Sequence, residues 1–157
     1  MIKKLDFSLL ANYIYYMNEI DNSLSMISKI RARANEIIIN ELENNGIIGL
    51  VPSHGDILVS LYFANKLSKS EISDKIKKGR STVTKLLTKL SDLGYIEISD
   101  NLEDKRASFV SLSEKGKDVI PIIFQISKKL NKIEYNNFSD LEKEMFFKLL
   151  KKVYQNF

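Results

Sequence analysis

The chain has 157 residues, of which 24 are basic, 20 are acidic and one is histidine, so that its net charge is +4. An apolar fraction of 44% is enough for a packed core, and the length fits one domain or a small two-part fold. Because the chain has no cysteine, disulfides, cysteine-ligated metals and thiol redox switches are excluded. We expect no cofactor, no metal site, no signal peptide and no membrane-spanning segment, and therefore a soluble cytoplasmic protein.

Apolar residues at three- and four-residue spacing predict helices in the N-terminal part of the chain. One pattern runs from Phe7 to Ile20, and a second from Leu24 to Leu42 ends near Gly46. A third helix is predicted from Pro52 to about Asn65, with Tyr62 on its apolar face. These helices are too apolar to stand alone in water, so that we expect them to pack on other helices or on a second copy of the chain.

The C-terminal part is also predicted to be helical. Ser113 precedes a helical pattern that contains Pro121, and a proline inside a helix predicts a kink. The segment Ser139-Asp140-Leu141-Glu142 is a capping-box pattern, which predicts the start of the last helix.

The middle of the chain predicts two short helices separated by a turn. The capping-box pattern Ser68-Lys69-Ser70-Glu71 begins the first helix. Gly79 allows a tight turn, and a second helix is predicted from Ser81 to Leu93, closed by Gly94.

Two alternating segments follow these helices. Tyr95–Ser99 and Ala107–Leu112 read as strands, with Ile96 and Ile98 on one face, and the polar loop 100–106 joins them as a hairpin. Helix, turn, helix and hairpin in this order predict a winged helix-turn-helix.

The basic residues are concentrated on this central part. Residues 75–91 carry six basic side chains and no acidic one. The net charge of the rest of the chain is therefore −2. A local positive field attracts the phosphate backbone of DNA, but a solvated lysine-rich helix face would give the same pattern. In a helix-turn-helix, the second helix enters the major groove with its N-terminal residues at the base edges. The candidate DNA-contacting residues here are Ser68, Ser70, Lys78, Arg80, Ser81, Thr82, Thr84, Lys85 and Lys89.

These motifs resemble those of a known family. The segment 81–86, followed by Leu93-Gly94-Tyr95-Ile96, is similar to the recognition helix and first wing strand of the MarR family of transcriptional regulators. Asp104-Lys105-Arg106, with Val110-Ser111-Leu112-Ser113 and then Gly116, matches the wing signature Asp-x-Arg followed by Val-x-Leu-Thr-x-x-Gly, with Ser113 where threonine is usual. The strongest resemblance covers about residues 50–116.

The resemblance implies a mostly α fold with a small β-hairpin wing. Residues 49–113 would form the winged helix-turn-helix, and the helices of residues 1–48 and 114–157 would form a dimerisation domain. The family binds double-stranded DNA as a homodimer at pseudo-palindromic operators. The resemblance further implies that Arg106 enters a minor groove, next to Lys105 and oriented by Asp104. An exposed hairpin ion pair of little energetic value is the alternative interpretation of Asp104 and Arg106.

Two features depart from the family pattern. Lys77 and Lys78 stand where the family often has a glycine and an apolar residue, with Gly79 at the expected N-cap. Residues 1–20 precede the usual first dimerisation helix and look like an additional helical segment. The shape of the turn and the role of the N-terminal segment therefore stay open.

The sequence thus predicts a transcriptional regulator, a repressor that a small anionic or aromatic effector releases and that is associated with the nucleoid when bound to DNA. Tyr13, Tyr16 and Phe124 are candidates for an effector pocket, although aromatic residues of this kind more often belong to a core or dimer interface. His54 is expected to cap a helix or face solvent rather than act as a ligand or catalyst. A winged-helix adaptor that uses this domain for protein contact is the alternative function. No catalytic triad, glycine-rich phosphate loop or carboxylate pair predicts an enzyme.

Overall fold

The computed structural model describes residues 23–99 and 108–157 with their side chains, and Asp100 through its backbone. The predicted helix Phe7–Ile20 and the tip of the predicted hairpin lie outside the described residues. The chain divides into two compact units, residues 1–34 and residues 35–157. Of the first unit, the structure describes residues 23–34, which are helical.

The described part of the chain is mostly helical, with one small antiparallel sheet, as predicted. None of its helices is both long and apolar enough to cross a membrane. The elements are α1 (Ser23–Asn44), α2 (Pro52–Ala64), β1 (Lys66–Ser68), α3 (Lys69–Ile76), α4 (Arg80–Asp92), β2 (Ile96–Asp100), β3 (Ser108–Leu112), α5 (Glu114–Glu134) and α6 (Asp140–Gln155).

The sheet has three strands rather than the two of the predicted hairpin. β3 lies in the middle, where Val110 pairs with Ile98 of β2 on one side and with Leu67 of β1 on the other. The sequence did not predict β1 because three residues are too few to show the alternation of a strand, and its pairing partner is distant in the chain. The wing is therefore tied directly to the start of α3.

The predicted helix starts are correct at both capping boxes. The Ser68 N–H donates to Glu71 Oε2 at 2.7 Å, and the Ser139 N–H donates to Glu142 Oε2 at 2.8 Å. In each case the serine hydroxyl accepts in return from the glutamate N–H. The predicted start of the helix at Pro52 is also confirmed, and α5 continues as one helix past Pro121.

The turn between α3 and α4 forms without glycine at its left-handed position. Lys77 has φ of 53°, and its N–H donates to the carbonyl of Ser73. The Ser73 hydroxyl donates to the carbonyl of Lys78 at 2.5 Å, which closes the turn from the other side. A left-handed lysine costs roughly 1–2 kcal/mol, so these hydrogen bonds offset a local strain. With Lys77 and Lys78 at these positions, the turn is closed by hydrogen bonds from both sides.

One apolar core lies within residues 35–157. It collects buried side chains from α2, α3, α4, the sheet and α5, together with the end of α1. Its most deeply buried members are Ile57, Leu58, Leu61, Ile72, Val83, Leu87, Leu90, Val110 and Ile120. One expectation is wrong: Tyr62, predicted on the apolar face of its helix, is about half exposed. Tyr62 instead packs edge-to-face against Phe63 and Phe124. Ile98, on the same face of β2 as Ile96, is also about half exposed.

Candidate nucleic-acid interface

Helix α4 presents one face to the core and the other to solvent. Val83, Leu87 and Leu90 are buried, at the spacing expected for one face of a helix. The opposite face is exposed and carries mainly hydroxyl and basic side chains, with the acidic Asp92 at its C-terminal end. Its members are Ser81, Thr82, Thr84, Lys85, Thr88 and Lys89.

The N-terminus of α4 has backbone donors without a side-chain cap. Its N-cap is Gly79, which has no side chain to accept a hydrogen bond, and the Val83 N–H is the first that bonds back, to the Gly79 carbonyl at 3.0 Å. The three N–H groups that precede Val83 in the helix have no intrahelical acceptor. Together with the positive end of the helix dipole, they favour an anion at this position.

Two basic side chains meet beside this helix end. An open hollow of about 320 Å³ lies at the starts of α3 and α4. It is lined by Lys69 and Ser70 of α3 and by Arg80 and Thr84 of α4. Lysine and arginine carry only hydrogen-bond donors, so that the hollow suits the oxygens of a phosphate. The sequence had indicated three of these residues and missed Lys69. Its place directly after the Ser68 cap, in the same turn as Ser70, is the signal that would have included it.

The hydroxyl groups near the hollow are not equivalent. The hydroxyls of Thr84 and Thr88 donate to the carbonyls of Arg80 and Thr84 at 2.9 and 3.0 Å, so that they offer an outside partner an acceptor oxygen and a methyl group. The Ser68 hydroxyl donates to Glu71 Oε2 at 2.8 Å and accepts from the Glu71 N–H. Of the predicted serines at the start of α3, Ser68 therefore serves the helix cap, whereas Ser70 lines the hollow.

The six basic residues of 75–91 do not form one surface. Lys75 lines a cavity on another side of the domain, next to Ile76. Lys89 reaches over the backbone at Gly49, where an added Cβ would lie 3.6 Å from Lys89 Cε. Arg80 lies at the hollow, and Lys85 is exposed on the outer face of α4. This segment spans two helices and a turn, and each helical residue rotates by about 100°, so that its charges point in different directions.

His54 belongs to the N-terminal cap of α2. Its Nδ1 accepts a hydrogen bond from the Val51 N–H at 2.9 Å, which confirms the capping role. The side chain is only 4% exposed, so the alternative of a solvent-facing histidine is wrong. Because Nδ1 accepts, the proton of the neutral ring lies on Nε2, which is buried and has no partner among the described residues. Burial, and secondly the positive charge of Lys89, lowers the pKa of His54.

A mostly apolar cavity of about 630 Å³ lies within residues 35–157. It is bounded by the second half of α1, by α2, by the end of α3 and by α5. Phe124, one of the three predicted effector contacts, lines it, together with Ser127 and Lys75. Tyr13 and Tyr16 lie outside the described residues. Among the described residues, no group of histidine, aspartate and glutamate side chains could hold a metal ion.

The wing tip also lies outside the described residues, and with it Asp104, Lys105 and Arg106. The strands that lead to it are in register, with Ile96 opposite Leu112 and Asp100 opposite Ser108. The loop 101–107 therefore connects two strands that end side by side, as a wing requires.

The chain is similar to known transcriptional regulators. Residues 50–108 match the model of the MarR family. The regulator PrsX of Escherichia coli is 32% identical over 94 residues, which are 58% of this chain and 57% of PrsX. The transcriptional repressor YetL of Bacillus subtilis is 32% identical over 108 residues, which are 65% of this chain and 62% of YetL. The chain therefore spans about three fifths of the length of these relatives.

The fold is that of solved MarR structures. A mutant of MarR from E. coli in complex with operator DNA superposes with a TM-score of 0.76 at 22% identity. The superposition covers 87% of this chain and 96% of that one. At this identity the likeness concerns the fold, a winged helix-turn-helix between helices at both ends.

The buried cap at His54 predicts a loss of stability in weak acid. The pKa of this ring lies below its usual 6.5 in the folded chain, so that the unfolded chain binds the proton first as the pH falls. The free energy of unfolding contributed by this site is complete above pH 6.5 and declines as the pH drops through and below that value. Urea unfolding at about pH 7.5 and about pH 5.5 measures the decline.

His54→Gln is the matched control, because glutamine at the same position accepts the capping hydrogen bond and does not titrate. The wild type should lose more stability between the two pH values than the glutamine variant. An equal loss in both proteins would show that His54 is not the group responsible.

Proposed function

We propose that this chain is a MarR-type winged-helix transcriptional regulator, and that it acts as a dimeric, sequence-specific DNA-binding repressor. The observation that carries the proposal is the basic hollow at the N-termini of α3 and α4, lined by Lys69, Ser70, Arg80 and Thr84. A phosphate seated there would fix α4 against the DNA backbone and direct its exposed face into the major groove.

The residues of the proposed interface differ in their tasks. Positive charge, and with it an affinity that depends on salt, comes from Lys69, Arg80, Lys85 and the partly buried Lys78. The hydroxyl side chains in the first turns of α4, Ser81, Thr82 and Thr84, are closer to sequence selection. Because the hydroxyl proton of Thr84 is used within the helix, that residue offers bases an acceptor and a methyl group. Arg106, at the wing tip, would enter the adjacent minor groove, with Asp104 and Lys105 beside it.

The proposed dimer follows from the exposed surface of α6. This 16-residue helix has no buried residue, although its sequence is amphipathic and it exposes six large apolar side chains besides Tyr154. These are Leu141, Met145, Phe146, Phe147, Leu149 and Val153. An apolar helix face of this size is unstable in water without a partner. A second copy of the chain supplies one, and the division into residues 1–48, 49–113 and 114–157 assigns α6 to the dimerisation part.

A repressor that a small molecule releases is the finer part of the proposal. The relative YetL is named a repressor, and the cavity of about 630 Å³ is large enough for an aromatic effector. Phe124 offers an aromatic wall, and Lys75 offers a positive charge for an anionic group. A ligand that binds better when the two α4 helices are wrongly spaced for DNA would lower the fraction of DNA-competent dimer.

The first prediction concerns DNA affinity. Selection from a random duplex library should yield a pseudo-palindrome with half-sites about 10–10.5 base pairs apart. Lys69→Ala and Arg80→Ala should each weaken binding to the selected duplex and reduce the slope of log K against log salt by roughly 2 per dimer. Lys128→Ala, an exposed lysine in the middle of α5, is the control and should leave both quantities unchanged.

Arg106→Ala tests the wing in the same assay and should weaken binding severely at fixed salt. Equal affinity of this variant would contradict the minor-groove role of Arg106. A wild type with little affinity for any duplex and a shallow salt slope would instead favour the adaptor function.

The second prediction concerns the oligomeric state. Met145 and Leu149 lie one helical turn apart and are about half exposed, so that a Met145→Glu/Leu149→Glu double variant places two charges on the proposed interface. Light scattering should give the wild type twice the mass of one 18.1 kDa chain and the variant the mass of one chain. Ile48→Glu, at an exposed apolar loop residue, should remain dimeric. A monomeric wild type would contradict the dimer.

The third prediction concerns the effector. A small aromatic carboxylate should raise the melting temperature of the wild type. Lys75→Met should lose this response because the variant lacks the positive charge of the cavity, while it keeps the response to a neutral phenol. A screen of such compounds without any stabilisation of the wild type would count against control by ligands of this class.

A further inference from the structure

The C-terminal end of α4 is fastened to the first turn of α5. The carbonyls of Leu93, Gly94 and Tyr95, three in succession, accept hydrogen bonds from Lys115 Nζ at 2.8 Å, the Ser113 hydroxyl at 2.6 Å and the Ser113 N–H at 3.1 Å. Carbonyls at a helix end have no intrahelical donor and need partners from elsewhere. We call these five residues the α4–α5 joint.

The backbone leaves little freedom at this joint. An added Cβ at Gly116 would lie 2.1 Å from the Tyr95 carbonyl oxygen, so that the two chain segments are as close as glycine permits. Gly94 has φ of 75°, in the left-handed region that ends many helices. The Ser113 hydroxyl, besides donating to Gly94, accepts from the Gly116 N–H at 3.0 Å and caps α5. The joint therefore ends one helix and begins the other.

Lys115 is the one charged side chain of the joint. Its stem passes over Gly94, and its ammonium lies 4.5 Å from the centre of the Tyr95 ring. A cation at the C-terminal end of a helix also interacts favourably with the helix dipole. Among the described residues it forms no salt bridge with a carboxylate. Its contacts are thus directed to the end of α4 and not to another charge.

We propose that Lys115 is a positioning residue for DNA binding, which holds the C-terminal end of α4 and so sets the angle at which this helix meets the groove. This inference rests on the proposed function. Helix α4 has 13 residues and is about 20 Å long, so that a tilt of about 3° at one end moves the other by about 1 Å. Such a displacement is enough to break a hydrogen bond to a base.

Lys117 provides a matched control on the same turn of α5. It is exposed like Lys115, but its ammonium pairs with Glu114 at 2.6 Å and none of its described hydrogen bonds reaches α4. Lys115→Met and Lys117→Met remove the same charge from neighbouring positions and keep most of the apolar stem. Only Lys115→Met removes a side chain that donates a hydrogen bond to a carbonyl at the end of α4.

Operator affinity as a function of salt distinguishes positioning from direct contact. Lys115→Met should bind the selected duplex about three- to tenfold more weakly, the range expected for one lost hydrogen bond. Its salt slope should equal that of Lys117→Met. Lys115→Arg should restore most of the affinity because it keeps a charged donor. If the salt slope of Lys115→Met were lower by roughly 2 per dimer than that of Lys117→Met, Lys115 would contact phosphate itself. That result would overturn the proposal. Affinity equal to that of Lys117→Met would overturn it too.

Hydrogen exchange without DNA tests the joint independently. Peptides that contain residues 89–95 should exchange faster in Lys115→Met than in the wild type, and at the wild-type rate in Lys117→Met and Lys115→Arg. Unchanged exchange in Lys115→Met would overturn the joint whether or not the protein binds DNA. A wild type that selects no duplex would overturn the proposed function, and with it the role of Lys115 in DNA binding, while the exchange result still decides whether the joint exists.

Discussion

The burial of one face of α4 is the constraint on which the domain around it depends. Val83, Leu87 and Leu90 are almost completely enclosed by α2, α3 and the sheet. Each fully buried side chain of this size contributes about 1.5–3 kcal/mol. Three such residues fix the rotation of the helix about its axis. The rotation in turn decides which side chains face outward, so that the exposed hydroxyl and basic face of α4 is a consequence of its packing.

The two ends of α4 differ in the hydrogen bonding of their backbone groups, and this difference is the basis of the proposed interface. At the N-terminus, Gly79 leaves the first backbone N–H groups without a cap, next to Lys69 and Arg80. At the C-terminus, the carbonyls of Leu90 and Ser91 accept from backbone N–H groups, and the carbonyls of the next three residues after the helix, 93–95, accept from Ser113 and Lys115. An uncapped N-terminus lowers the stability of a helix unless a ligand accepts hydrogen bonds from its free N–H groups. One end is therefore available for an external anion, whereas the other is held by the protein itself.

The sequence predicted those features whose determinants lie close together in the chain. Both capping boxes are visible because serine and glutamate are three residues apart, and the apolar spacing of α4 shows its buried face directly. The features that it missed are contacts between distant segments. β1 becomes a strand only through its pairing with β3, and Lys115 meets Leu93 across 22 residues. Likewise, the direction of Lys89 toward Gly49 depends on the packing of α2 against α4, which no local pattern contains.

Helix α5 is one continuous helix that reaches both sites. Its first turn holds the end of α4, and two turns later Ile123, Phe124 and Ser127 line the cavity. Under the proposed function, a ligand changes DNA binding only if it contacts the cavity differently in the DNA-competent and DNA-incompetent states. A movement of α5 that such a ligand favours must also move the joint, because Gly116 and Tyr95 are too close to slide past each other. The coupling is reciprocal, so that DNA which holds α4 in place lowers the affinity of the cavity for that ligand by the same factor.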